Sequence, residues 1–240
     1  MENVPRSALL VTPHQDDAEG GCGGTIGAWT KRGTEVVYVL CTNGDKGSSD
    51  PNMTSPRLAE MREREQQNAA NVLGVKEVVF LRHPDGGLED TLELRAQVVR
   101  EIRRHKPEIV MCTDPFRSTS HTHRDHRVSG MVALDAVFTY AWSYLHFPKQ
   151  IQNEGLEPHR VKEIYLWGSE APDTYVDISE SVDAKAQSLS QHVSQMREPQ
   201  KLQERIRSRA KSVGERAGLP YAEAFRRIHS NPGFLHWAEF

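Results

Sequence analysis

Short apolar runs alternate with stretches of helical period along the first half of the chain. Ala8–Thr12 (ALLVT), Glu35–Thr42 (EVVYVLCT), Glu77–Leu81 (EVVFL) and Glu108–Thr113 (EIVMCT) are apolar at nearly every inner position. Such runs suit strands buried on both faces. Between them, Thr25–Arg32 ends at Gly33, and Leu58–Leu73 carries Leu58, Met61, Ala69, Val72 and Leu73 before Gly74. Leu92–His105 repeats at Leu92, Leu94, Val98, Val99 and Ile102 and stops before Pro107. Glycine just past a periodic stretch, or proline shortly beyond it, marks a helix end. The alternation predicts an α/β fold, Rossmann-like and doubly wound, with a mainly parallel sheet flanked by helices on both faces.

The second half is less regular. Arg127–Leu145 reads as one long, mostly buried helix, Lys162–Trp167 and Thr174–Ile178 as two more strands, and roughly the last 60 residues as polar and helical with a break near Gly218–Pro220. The predicted organisation is a single domain over 1–240, with a doubly wound core over 1–145 and two further strands plus C-terminal helices over 146–240. Gly44–Pro56 and Pro148–His159 are expected to be irregular connections, the first a surface loop near the site.

Composition narrows the classes of function. The 240 residues are 37% hydrophobic and 26% charged, which fits a folded domain with a core and not a disordered chain. A net charge of -3 argues against wrapping nucleic acid. Cys22, Cys41 and Cys112 are odd in number and far apart, so a reducing compartment is expected. No stretch approaches the roughly 18 apolar residues of a membrane span, and no basic flank with an apolar run opens the chain. A cytoplasmic protein without nucleic-acid or membrane partners is the expectation.

In an open parallel sheet, ligands bind beyond the carboxyl ends of the strands. After the first predicted strand comes Pro13-His14-Gln15-Asp16-Asp17-Ala18-Glu19, after the second Asn43-Gly44-Asp45, after the third His83-Pro84-Asp85-Gly86-Gly87. After the fourth come Asp114-Pro115 and then His121-Thr122-His123-Arg124-Asp125-His126. Four loops on one rim therefore deliver carboxylates or imidazoles. The plainer meaning of each cluster is a polar turn, with Asp17 or Asp125 capping the helix that follows. The sharper one is a divided metal site. Histidine and carboxylate ligate Zn²⁺, a catalytic site uses three protein ligands plus water, and a nearby unligated carboxylate can act as base. The same donors also permit Fe²⁺, Co²⁺ or Mn²⁺.

Other features weigh less. Gly20-Gly21-Cys22-Gly23-Gly24 does not fit the dinucleotide G-x-G-x-x-G pattern in any register and lacks a P-loop lysine. Its glycines are expected to let a helix pack closely on the sheet, with Cys22 a buried thiol. Arg62 and Glu65 read either as an i,i+3 ion pair or as an arginine turned into a polar cleft. From spacing alone, His83, His146, His192, His229 and His236 read as structural.

The paired clusters carry a family resemblance. Pro13-His14-Gln15-Asp16-Asp17-Ala18-Glu19, followed by Gly-Cys-Gly-Gly-Thr, resembles the H-P-D-D-[AE]-E opening of the LmbE-like, or PIG-L, zinc deacetylases. His123-Arg124-Asp125-His126 resembles the second motif of that family, and Arg62-x-x-Glu65, Asp85-Gly-Gly-Leu88 and His192-x-Ser-Gln195 follow in its order. The similarity runs from about residue 8 to about residue 195. Gln15 stands where the family has proline, which alters loop rigidity rather than ligation. The resemblance implies a hydrolase that removes the N-acetyl group of an N-acetylglucosamine-type sugar, giving free amine and acetate. It implies one Zn²⁺ per chain on His14, Asp17 and His126, with Asp16 as general base. His123 would face the carbonyl, as a protonated ring stabilising the oxyanion, and Asp125 would orient a neighbouring histidine. His126 would donate its second ring N–H to an acceptor. Arg62, Asp85 and His192 would bind substrate, and a trimer or hexamer is implied by analogy. The alternatives are a metal-dependent amidase or esterase on another substrate such as a sugar–thiol conjugate, a two-metal phosphoesterase drawing on Asp45, Asp85 and Asp114, and a non-catalytic glycan-binding module.

Overall fold

The computed structural model describes residues 4–119 and 122–230. His121 and His236 lie outside the described residues. The sheet has seven strands in the order β3-β2-β1-β4-β5-β7-β6. They are β1 (Ser7–Thr12), β2 (Glu35–Thr42), β3 (Glu77–His83), β4 (Ile109–Thr113), β5 (Glu163–Trp167), β6 (Thr174–Asp177) and β7 (Ala222–His229). The pairings β3–β2, β2–β1, β1–β4 and β4–β5 are parallel, while β7 runs antiparallel to both β5 and β6. The unbroken apolar runs of β1 and β4 are buried at almost every residue, because helices cover the sheet on both sides.

One helical layer contains α1 (Asp17–Thr30), α2 (Ser55–Leu73), α6 (Val182–Leu189) and α7 (Leu202–Glu215), which pack on one another. The other contains α3 (Leu92–His105) packed on α4 (Arg124–Asp135). α3 is built as its sequence suggests. Leu94, Val98, Val99 and Ile102 form the buried stripe, Thr91 accepts from Leu94 N at its start, and Lys106 closes it in a left-handed conformation before Pro107. α2 differs in one respect. Its inward face carries Arg62, Glu65 and Gln66 between Leu58 and Ala69, so a polar patch sits where core residues would otherwise be.

Four expectations are corrected. The first helix begins at Asp17 rather than Thr25, with a break in helical geometry at Cys22 (φ -144°, ψ 17°). The proposed Arg127–Leu145 helix is α4 over Arg124–Asp135, followed by a π-helical turn over Ala136–Tyr140. The Pro148–His159 connection contains a short helix, α5 (Pro148–Glu154). The C-terminal stretch is not all helical: β7 is a third strand within 146–240, inserted between β5 and β6, and α7 gives way to it around Gly218.

The glycine run behaves as expected. A Cβ on Gly21 would collide with the Trp167 indole, and one on Gly24 would lie 2.7 Å from Ile178 Cδ1. α1 therefore lies closer to the sheet than side chains would allow, and its first turn is set beside the ends of β1 and β4. Successive strands wind outward in opposite directions from β1 and β4, so the crevice between their carboxyl ends is the topological switch point where open α/β sheets bind ligands.

Candidate metal centre and active site

The β1 loop and the start of α4 meet at this crevice. Asp17 Oδ2 lies 3.1 Å from His14 Nδ1 and 3.1 Å from His126 Nε2, and accepts from His14 N at 3.2 Å. The rings of His14, His123 and His126 form a triangle with centroid separations of 4.9, 5.4 and 5.5 Å. Ring nitrogens of all three fall within 4.8 Å of one another, and a second set of His14, Asp85, His123 and Asp125 meets the same limit.

The other nitrogen of His14 is held from behind. Nε2 lies 3.1 Å from Asp125 Oδ2 and 3.0 Å from Asp85 Oδ1. Asp125 is fully buried and also accepts from Gly86 N (2.7 Å) and Leu88 N (3.2 Å), so its carboxylate is fixed before it meets the imidazole. Asp85 turns toward His14, with its side chain 9% exposed. Burial alone would push the His14 ring toward neutrality, but hydrogen bonds to Asp125, Asp17 and Asp85 raise it to about 11. Burial likewise opposes ionisation of Asp17, and the bonds from His126 and His14 overcome it and hold the carboxyl well below its ordinary range. The three carboxylates around His14 thus favour a positive charge between them. Two imidazoles converging on one carboxylate, inside a field that favours a cation, fit a divalent ion with nitrogen and oxygen ligands.

Neither aspartate serves as a helix cap. Asp16 occupies the N-cap position of α1 in a left-handed conformation (φ 85°) and makes no capping bond. His123 occupies that position in α4 and accepts from Asp125 N at 3.2 Å. Asp16 stands beside Asp17 and lines the cleft, its Oδ2 3.8 Å from Arg62 Nη2 and its backbone N–H toward Gln66 Oε1. Burial, reinforced by the charge of Asp17, raises its carboxyl to about 7.

Two expectations about protons change. His123 is pushed down by burial and by the nearby His14 charge, so its ring is neutral rather than protonated. Because Nδ1 accepts from the Asp125 amide, Nε2 carries the remaining proton. At His126, the group facing Nδ1 is Arg117 Nη2 at 3.1 Å. A guanidinium only donates, so the acceptor expected there is a donor.

Arg62 is buried and anchored rather than ion-paired to Glu65. It donates to the carbonyls of Gln15 (2.7 Å) and Gly44 (3.1 Å), tying the β1 and β2 loops together. Glu65 instead accepts from Ser194 N and Oγ at 2.7 and 2.6 Å. His192 is fully buried, with Nε2 3.3 Å from Glu19 Oε2, and Glu19 accepts from Gln66 Nε2 at 2.8 Å. Asp45 and Asp114 do not join the cluster. Asp45 accepts from Asp85 N and pairs with Lys46, and Asp114 accepts from Phe116 N. Cys22 is a buried thiol bonded to Ala18 O. Sequence reasoning did not single out Gln66 or Arg117. The only signal for Gln66 is a polar residue at a core-facing helical position.

The fold and this cluster define a Rossmann-like hydrolase with a divided His–Asp centre. The chain belongs to the PIG-L family: the family model for GlcNAc-PI de-N-acetylase matches residues 9–137. The family consists of metal-dependent deacetylases. Diacetylchitobiose deacetylase of Thermococcus kodakarensis is 33% identical over 244 residues, spanning 99% of this chain and 88% of its own. A 1D-myo-inositol 2-acetamido-2-deoxy-α-D-glucopyranoside deacetylase from a Mycobacterium species is 26% identical over 235 residues, spanning 81% of this chain and 75% of its own. The solved structure of N,N′-diacetylchitobiose deacetylase from Pyrococcus horikoshii, in complex with an inhibitor, superposes with a TM-score of 0.86 at 30% identity, covering 97% of this chain and 86% of that one.

Proposed function

We propose that this chain hydrolyses the acetamide of an N-acetylglucosamine-type sugar, releasing acetate and the free amine. His14, Asp17 and His126 would hold one Zn²⁺. The observation that carries the reading is the convergence of His14 Nδ1 and His126 Nε2 on Asp17 Oδ2, with Asp16 adjacent but outside that triangle. A divalent ion held there supplies Lewis acidity toward the amide carbonyl and makes a water molecule easier to deprotonate.

The protein's own groups do the rest. Asp16 takes a proton from the attacking water and delivers it to the nitrogen as the C–N bond breaks, so the amine leaves neutral. A carboxyl raised toward 7 is well matched to both halves of that transfer near neutral pH. His123 presents its Nε2–H to the carbonyl oxygen as negative charge develops, and a neutral ring suffices for this donation. Asp125 and Asp85 fix the ring of His14, and Arg62 holds the loop that carries Asp16. His192 acts from behind, through Glu19 and Gln66, rather than from the cleft wall. The three separated, buried cysteines support a cytoplasmic setting, and the exposed Phe138, Tyr144 and Leu145 support assembly into a homo-oligomer. Among the described residues, no helix is long and apolar enough to cross a membrane.

Elemental analysis of the purified protein, paired with acetate release from N-acetyl amino sugars before and after chelation, tests the reading. One zinc per chain with chelator-sensitive acetate release is expected. Full release from metal-free protein would sink it.

A further inference from the structure

We propose that Gln66 is a positioning residue for the reaction: together with Arg62 it clamps the peptide between Gln15 and Asp16 in the orientation that sets Asp16 beside Asp17 on the cleft, and Glu19 fixes which way its amide faces. The proposal rests on the deacetylase reading above and names what holds the base in place.

Asp16 sits in left-handed backbone (φ 85°, ψ -24°), a region that residues other than glycine seldom occupy. The peptide that enters it is gripped from both ends by α2. Arg62 Nη2 donates to Gln15 O at 2.7 Å, and Asp16 N donates to Gln66 Oε1 at 3.4 Å. Arg62 and Gln66 are four residues apart, so they lie one turn from each other on the same helical face. Turning the peptide over would return the φ of Asp16 to negative values. It would also set the Asp16 N–H against a guanidinium and the Gln15 carbonyl against the Gln66 carbonyl oxygen. Neither pair can make a hydrogen bond.

A glutamine could escape the second conflict by rotating its amide and offering the NH₂ group. Glu19 prevents this. Its fully buried carboxylate accepts from Gln66 Nε2 at 2.8 Å, so the donor end is committed there and only Oε1 is left for Asp16. Glu19 is in turn faced by His192 Nε2 at 3.3 Å. Gln66 is itself fully buried, on the inward face of α2 with Leu58, Ala69 and Leu73, where an amide is costly unless both ends are paired. Neither Gln66 nor Glu19 lines the cleft, so their effect on the reaction passes through Asp16.

The test measures kcat, KM and metal content of the zinc-loaded protein, with the N-acetyl amino sugar that the wild type turns over fastest. Gln66→Met keeps the length of the side chain and removes both bonds. It should lower kcat at least about tenfold while KM and zinc content stay within about twofold. Gln66→Glu offers Asp16 an acceptor but meets Glu19 with like charge, and should also be slow. The exchanged variant, Glu19→Gln/Gln66→Glu, again sets one carboxylate against one amide and should recover kcat to within about fivefold of the wild type. A side chain that merely filled space would not give that rescue. Wild-type kcat in Gln66→Met, a loss carried by KM or by missing zinc, or an exchanged variant no faster than Gln66→Glu would overturn the proposal. If the single variants do not fold, the exchanged variant decides alone: turnover near wild type sustains the clamp, and slow or unfolded protein dismisses it. If the wild type releases no acetate from any sugar, the deacetylase reading fails instead. Crystal structures of the wild type and Gln66→Met then judge the clamp, which a turned-over Gln15–Asp16 peptide in the variant sustains and an unmoved one dismisses.

Discussion

Helix α1 passes through two clusters of buried charge that are built in opposite ways. At its middle, where helical geometry breaks at Cys22, the Glu223 carboxylate accepts from Gly24 N (3.0 Å) and Thr25 N (2.7 Å) and is paired with Lys185. Lys185 also donates to Gly20 O at 2.9 Å. One anion meets one cation, and the backbone groups freed by the break are satisfied. At the head of α1 the groups are not paired one to one. Asp16, Asp17, Asp85 and Asp125 crowd around His14 and His126, with the guanidiniums of Arg62 and Arg117 at the edge, and the cluster opens on a cleft. Buried charge by itself marks no site. Carboxylates and imidazoles that share one another's contacts and open on a cleft suit a divalent ion.

Substitutions can separate the two clusters. The largest effect is expected from Asp16→Asn, which should keep its metal by elemental analysis yet lower acetate release by roughly 10²–10⁴-fold. Wild-type turnover in that variant would refute the role of Asp16. Next, Glu223→Ala strands Lys185 in a buried position and should cost about 3–5 kcal/mol in denaturant unfolding. Replacing both partners with apolar residues of similar volume should recover most of that loss, as befits a closed pair. Asp125→Asn loosens the anchor behind His14 and should weaken metal affinity by about 10–100-fold in a chelator competition. A smaller change should come from Gly21→Ala, which pushes α1 off Trp167 at a cost of about 1–3 kcal/mol. Since that shift also displaces Asp16, its fall in turnover should exceed its fall in stability.

Much of this was legible in the sequence because it depends on pattern. The runs of β1, β2 and β4 are apolar at almost every position, and one His–Asp cluster follows β1 directly while the other heads the helix after β4. What escaped depends on neighbours. Ala222–His229 (AEAFRRIH) carries one glutamate and two arginines, and it reads as a polar segment after a polar helix. It becomes a strand because β5 and β6 bond it on both sides and because Glu223 and Arg227 find Lys185 and Glu163. The start of α1 was hidden for a related reason. Two glycine pairs flanking Cys22 have little helical propensity, and close docking on Trp167 and Ile178 supplies what propensity lacks. Gln66 and Arg117 are single polar side chains in ordinary surroundings, and only the folded chain shows what they face.

The pairing of β1 with β4 also bears on how the protein acquires its activity. His14 and Asp125 are 111 residues apart in sequence, and they meet only after those two strands lie side by side. An unfolded chain offers no comparable nest for a divalent ion. Binding therefore draws the population toward the native state, by about 2.7 kcal/mol when free ion stands at 100 times its dissociation constant. The thermal midpoint should climb with metal concentration in the wild type and stay level in His14→Ala. In a cell starved of the ion, the first symptom would be a shorter-lived protein as well as a slower one.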